Sequence, residues 1–228
     1  MFYSKIIDFI DKYYHHKRIS KFCKPYKIRI LVDIGAHKGE FISNFIKNFP
    51  IKKIYAFEPQ INIFDHLKKK FSKNKKFILK NCAISNKNSF KKIKINKLTS
   101  TSSLSKLNEE SFFFKFKNIL VPTNDEFQKI QTKTIDKFFV KKSLRSSLLK
   151  IDVEGHELEV LKGAKKSIRL FNYIIIEKQM FNLYKVSNFE KSHRYLVKNG
   201  FVLIKKFRFP TFHFEDRFYL NKLKLKIK

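Results

Sequence analysis

The chain has 228 residues, of which 43% are hydrophobic. That suits one α/β domain with at most a small extension, and it excludes wholesale disorder. Fifty-one Lys and Arg against nineteen Asp and Glu leave a net charge of +32. Such a field favours anionic partners: nucleic acid, acidic glycan or an anionic membrane surface. The composition also matches that of an AT-rich coding sequence, which by itself inflates Lys. Cys23 and Cys82 form neither a metal-ligand spacing nor a disulfide framework, so a reduced, cytoplasmic setting is expected.

In chain order, residues 1–27 read as an N-terminal amphipathic helical extension with Phe2, Ile6, Ile10 and Tyr14 on one stripe. Asp8 and Asp11 break any signal-peptide core, and no run is long enough to span a bilayer. The helix is expected to pack on the domain; its alternative use is peripheral contact with the inner membrane surface. The domain itself is placed at 28–222. KIRILVDIG is a strand, EFISNFIKNF a helix stopped by Pro50, IYAFEP a strand and INIFDHLKKKF a helix. KFILKNCAIS is a third strand. Residues 88–146 break the alternation and read as an insertion with one or two strands and loop. SLLKIDVEG, ELEVLKGAKKSIRLF and YIIIEKQ then resume strand, helix, strand. FEKSHRYLVKNG is a helix capped by Gly200, and FVLIKKFRF with FEDRFYLNKL forms a hairpin; 223–228 is a basic tail. The order predicts an α/β fold, a doubly wound and mostly parallel Rossmann-like sheet with a C-terminal antiparallel hairpin strand.

The chain has only five glycines, and two lie in VDIGAHKGE, directly after a strand and opening a helix. Such a turn lets a ligand approach the backbone and offers free N–H groups to an anion. The dinucleotide fingerprint is absent, because His37 follows Ala36, and no Walker loop is present. Asp33, Gly35, Ala36 and Gly39 resemble the first motif of class I S-adenosylmethionine (SAM)-dependent methyltransferases, with His37 in place of the middle glycine. That resemblance implies SAM as cofactor. Glu58 closes the next strand, where a carboxylate can accept bonds from both ribose hydroxyls. Asn81 and Ala83 stand at the end of the third strand, where such folds contact adenine.

LLKIDVEGHELEVLKGA, with LVDIGAHKGEF, YAFEP, TSSL, QTKTIDKF and IIIE, resembles the FkbM family of SAM-dependent methyltransferases from Leu31 to Glu177 and on to Gly200. The resemblance implies the class I fold and O-methylation of a hydroxyl, typically of a sugar in a glycan or glycolipid, or of a natural product. His37 departs from the Asn more usual there. The resemblance also assigns the Thr99–Leu104 run to closing the site.

Read as residues, Asp152 ends a buried strand, in the crevice where open α/β sheets bind ligands. A carboxylate there can favour the sulfonium, orient the acceptor or take its proton. His156 is a candidate general base. Glu154 could orient the acceptor, or hold a divalent metal with Asp152, although no complete ligand set is legible. Glu177 is a second candidate carboxylate; its alternative is an ion pair with Lys. Glu157 and Glu159 suit the start of a helix. FFFKFKN could stack on sugar or base, or form a half-buried strand. An anionic or lipid-linked acceptor would account for the basic field. Two rival functions remain. One is an RNA ribose 2′-O-methyltransferase, using Lys27, Asp152, Lys178 and Glu215. The other is a binding module without catalysis.

Overall fold

The computed structural model describes residues 14–95, 104, 126–180, 189–210 and 214–225. Phe2, Ile6, Ile10, the Thr99–Leu104 run except Leu104, and FFFKFKN lie outside them. No helix among the described residues is long and apolar enough to cross a membrane.

Helix α1 (His16–Cys23) precedes strand β1 (Ile30–Ile34), α2 (Glu40–Asn48), β2 (Lys53–Phe57), α3 (Ile61–Phe71) and β3 (Phe77–Lys80). The short β4 (Ala83–Ile84) leads to β5 (Ser89–Ile95), β6 (Glu126–Lys133) and α4 (Ile135–Phe139). Then come β7 (Ser147–Ile151), α5 (Glu157–Lys162), β8 (Tyr173–Gln179), α6 (Phe189–Lys198), β9 (Phe201–Arg208), β10 (Phe214–Asn221) and α7 (Lys222–Leu225).

Seven strands form the main sheet in the order β3-β2-β1-β7-β8-β10-β9. Every pairing from β3 to β8 is parallel, and β10 runs antiparallel to both neighbours. The hairpin expected from the sequence is therefore present, with its second strand inserted between β8 and β9. β4, β6 and β5 form a separate three-stranded sheet.

The central strands are buried on both faces, which explains their near-continuous apolar runs. Val32, Ile34, Leu149, Ile151, Ile174 and Ile176 face one core, with Val160 and Leu161 of α5. Leu31, Leu148, Ile175 and Phe218 face the other, with Phe41 and Phe45 of α2. Ile19 and Cys23 of α1 are fully buried in this second core, so α1 completes one face of the sheet. The alternation puts Asp33, Lys150, Asp152, Glu177 and Asp216 on that same face, at the end toward which the parallel strands point.

Candidate active site

The loop after β1 and the loop after β7 are stitched together. The Asp152 N–H donates to the Ile34 carbonyl at 3.0 Å. Gly35 adopts φ +82°, and a Cβ there would lie 1.8 Å from the Asp152 carbonyl oxygen. Only glycine satisfies both the conformation and the contact. The N–H groups of Gly35 and Ala36 both donate to the Phe57 carbonyl at 3.0 Å, tying the same loop to β2. Gly39, at φ +73°, opens α2; a Cβ there would meet the Phe71 ring at 2.5 Å.

Glu58 is buried at the end of β2. One carboxylate oxygen accepts the His37 N–H at 3.0 Å and the other accepts the Gln60 N–H at 2.9 Å. Each oxygen keeps a second lone pair for a ligand hydroxyl. Burial pushes the Glu58 carboxyl above its ordinary range, opposed by these two backbone donors. His37 contributes through its main chain and holds φ 47°, unusual for a residue with a side chain. The Asn81 amide donates to the carbonyls of Glu58 and Pro59 at 2.9 and 3.1 Å, so it steadies the Glu58 turn. The Ala83 side chain packs instead with Ile93 and Ile130 in the small core of the second sheet.

Asp33 lies behind the glycine loop. It is fully buried, and neither carboxylate oxygen has a hydrogen-bond partner. Burial pushes its carboxyl up to about 7, with Lys150 working against that rise. Lys150 is its cross-strand neighbour on β7. The Lys150 ammonium reaches Asp152 Oδ2 at 2.7 Å and lies 5.1 Å from the centre of the Phe41 ring. Burial disfavours its charge, but Asp152, Asp33 and Asp216 together outweigh burial and hold the amine above its usual range. Asp216, beside Glu177 on β10, binds His15 Nε2 at 2.9 Å.

Three carboxylates converge at the ends of β7 and β8. Oxygens of Asp152, Glu154 and Glu177 all lie within 4.8 Å of one another. The Gln179 amide donates to Glu154 at 3.0 Å and also to Glu177. Glu154 takes φ 53°, a strained turn stabilised by this contact. Burial, then the charges of Asp152, Glu154 and Asp216, raise the Glu177 carboxyl well above its ordinary value. The group has the donor chemistry for a divalent cation, and Lys150 and Gln179 already bond its oxygens from within the chain.

The remaining acids of this stretch serve the helix start. The buried Glu157 carboxylate accepts the Gly155 N–H at 2.9 Å, and burial pushes it up to about 7. Glu159 bonds Lys162 and Asn86. His156 Nε2 lies 3.0 Å from Ser85 Oγ in a buried contact, and burial, then Lys91, push the imidazole down to about 4.

The structure thus gathers Gly35, Ala36, Glu58 and the acidic group around one loop cluster, with Asp33 behind it. His156 is joined to Ser85 at the end of β4. The rival set of Lys27, Asp152, Lys178 and Glu215 does not assemble. Lys178 and Glu215 pair one step out of phase with Glu177 and Asp216, hence on the opposite face from them. Glu215 is bound by Arg217 at 2.7 Å. Sequence reasoning missed Lys150, Gln179, His15 and Asp216. Lys150 had a signal: a lysine inside the otherwise apolar LLKI strand is buried, and burial demands a partner.

The profile of the methyltransferase FkbM domain matches residues 33–203. Among solved structures, an FkbM methyltransferase from Methylobacillus flagellatus KT superposes with a TM-score of 0.56 at 14% identity, over 86% of this chain and 44% of that one. Sp1610 from Streptococcus pneumoniae, a putative tRNA (m1A22) methyltransferase, gives 0.51 at 9% identity, over 90% and 68%. Aeropyrum pernix fibrillarin, solved with natively bound SAM, gives 0.46 at 12% identity, over 90% and 74%. The chain therefore spans under half the length of the M. flagellatus protein. No curated protein matches it. With more than half its length matched by that profile, on a sheet of the same architecture, the chain belongs to the FkbM family of methyltransferase domains, whose fold is that of the class I SAM-dependent methyltransferases.

Proposed function

We propose that this domain transfers a methyl group from SAM to a hydroxyl of a sugar in a glycan or a lipid-linked glycan precursor. The observation that carries the reading is the convergence of Asp152, Glu154 and Glu177 beside the loop that Gly35 closes against Asp152. The residues fit SAM on three counts. Gly35 and Gly39 hold the left-handed turns of the loop that opens α2, Glu58 presents two pre-oriented oxygens for the ribose hydroxyls, and Asp33 offers a buried carboxylate lacking a donor for the cofactor's ammonium.

When bound, SAM supplies an electrophilic methyl on a cationic sulfonium and departs as neutral S-adenosylhomocysteine. Lys150 fixes the Asp152 carboxylate toward the cleft, where it orients the acceptor hydroxyl. The hydroxyl proton passes to the carboxylate group, in which burial and the neighbouring charges of Asp152 and Glu154 raise the proton affinity of Glu177. The base role expected of His156 passes to these carboxylates, because its Nε2 is engaged by Ser85.

The test is incubation with labelled SAM and separate glycan, lipid and RNA fractions of the source cell. Label is expected in the glycan or glycolipid fraction. Label in RNA alone would overturn the acceptor class. An absence of calorimetric heat with both SAM and S-adenosylhomocysteine would leave the fold as a binding module. Asp152→Asn is expected to lower transfer by about a hundredfold or more while cofactor affinity changes little. A fully active variant would remove Asp152 from the mechanism.

A further inference from the structure

Strands β5 and β6 pair with Phe90 opposite Gln131 and Lys92 opposite Lys129. Phe127 falls two residues before Lys129, on the same face. The reverse face is covered: Ile93 and Ile130 are buried with Ala83, and Ile95 and Leu104 pack against them. A solvent-facing side of such a sheet should be polar. Here it carries two phenylalanines, 64% and 62% exposed, on either side of the Lys92–Lys129 pair. The Lys129 ammonium lies 5.1 Å from the centre of the Phe90 ring. None of the five positions Phe90, Lys92, Phe127, Lys129 and Gln131 is acidic.

We propose that this face docks on an anionic lipid bilayer, with Phe90 and Phe127 entering the headgroup boundary and Lys92 and Lys129 pairing with lipid phosphates. Phenylalanine beside lysine is the pattern of surfaces that lie in a membrane interface, and each lysine near an anionic leaflet adds to the attraction. Charge decides against a second copy, and the Lys129 contact with the Phe90 ring against nucleic acid. A second copy of the chain would bring lysine against lysine within a field of +32. A nucleic acid base stacking on Phe90 would compete with Lys129 for a ring face. Insertion of the ring keeps Lys129 at phosphate depth. The covered side of the sheet packs toward the cofactor end of the domain. Gln128, on the covered side of β6, accepts the Ile61 N–H at 3.4 Å, three residues beyond Glu58. The docking itself does not depend on the acceptor being a glycan.

The experiment is flotation of the full chain with vesicles of phosphatidylcholine alone or with phosphatidylglycerol added, across a salt series. Binding is expected only with the anionic lipid and should weaken as salt rises. Phe90→Ser/Phe127→Ser and Lys92→Glu/Lys129→Glu should each reduce binding by about tenfold or more, with S-adenosylhomocysteine affinity unchanged. Equal binding to both vesicles, or wild-type binding by the phenylalanine variant, would overturn the proposal. So would single-stranded RNA binding that depends on the same phenylalanines and displaces the vesicles. A wild-type chain that binds vesicles but no cofactor would sink the methyl-transfer reading and leave the docking surface standing.

Discussion

A buried carboxylate without a hydrogen-bond donor is costly, and Asp33 is one. Its folded pKa of about 7 stands above the ordinary value of 3.8. The folded state then holds the proton to higher pH than the unfolded chain, so the stability contribution of Asp33 falls as pH rises from about 4 to about 7. Asp33→Asn should gain stability over wild type across that window, by roughly 4 kcal/mol at its upper end. It should also weaken cofactor binding. Urea titrations at about pH 4 and about pH 8 check the sign; an equal shift at both would assign the effect elsewhere. The buried His16 and His156, lowered by burial to about 3 and about 4, act oppositely, favouring folding as pH rises. Comparing variant with wild type cancels their effect. Lys150 is the complementary case. Lys150→Met would leave Asp33, Asp152 and Asp216 without their buried cation, at a loss of about 3–5 kcal/mol. The denaturant midpoint should fall accordingly, and Lys150→Arg should recover part of it.

At the scale of elements, α5 begins at a joint between two sheets. His156 immediately precedes its first residue and meets Ser85, while at its far end Gly163 lies so close to Ser85 that a Cβ would sit 2.1 Å from the Ser85 carbonyl oxygen. His156→Ala should therefore destabilise the domain by about 1–2 kcal/mol. The shape of a pH–rate profile should not change. Ser85→Ala should show most of the same loss, and the double variant little more, which a double-mutant cycle measures. Most of the element order was legible because strands and helices carry their own period and stop, such as Pro50 after α2 and Gly200 after α6, but KFILKNCAIS, read as one strand, divides between β3 of the main sheet and β4 of the second. The Gly35 loop was legible because glycine is so scarce in this chain. What the sequence hid were long-range partners. That Ser85 would engage His156, or that Asp216 would come beside Glu177 and bind His15, depends on crossovers between distant segments. Local pattern contains no record of those crossovers. The place of β10 between β8 and β9 is hidden for the same reason: hairpin patterning gives the pairing but not which strand turns inward.

At the scale of the molecule, α1 is part of the core despite its polar sequence. Ile19 and Cys23 are fully buried, and the adjacent His15 holds Asp216. Removing residues 1–24 should therefore expose core and leave a buried carboxylate unpaired. A fall in Tm of about 10 °C or more is expected in a thermal melt. A truncated chain that melts with the wild type would show that α1 is dispensable.

The position of β10 also bears on how the protein is made. β8 is complete at Gln179, but the strand that covers its open edge ends only at Asn221. At about 5–20 residues per second, a ribosome needs roughly 2–8 s to add the intervening stretch. For that interval YIIIE, an apolar and β-branched segment, presents unpaired backbone to its surroundings. The nascent chain is thus most prone to pairing with the wrong strand just before its sheet is closed, and β9, which arrives first, is the nearest competitor for that edge.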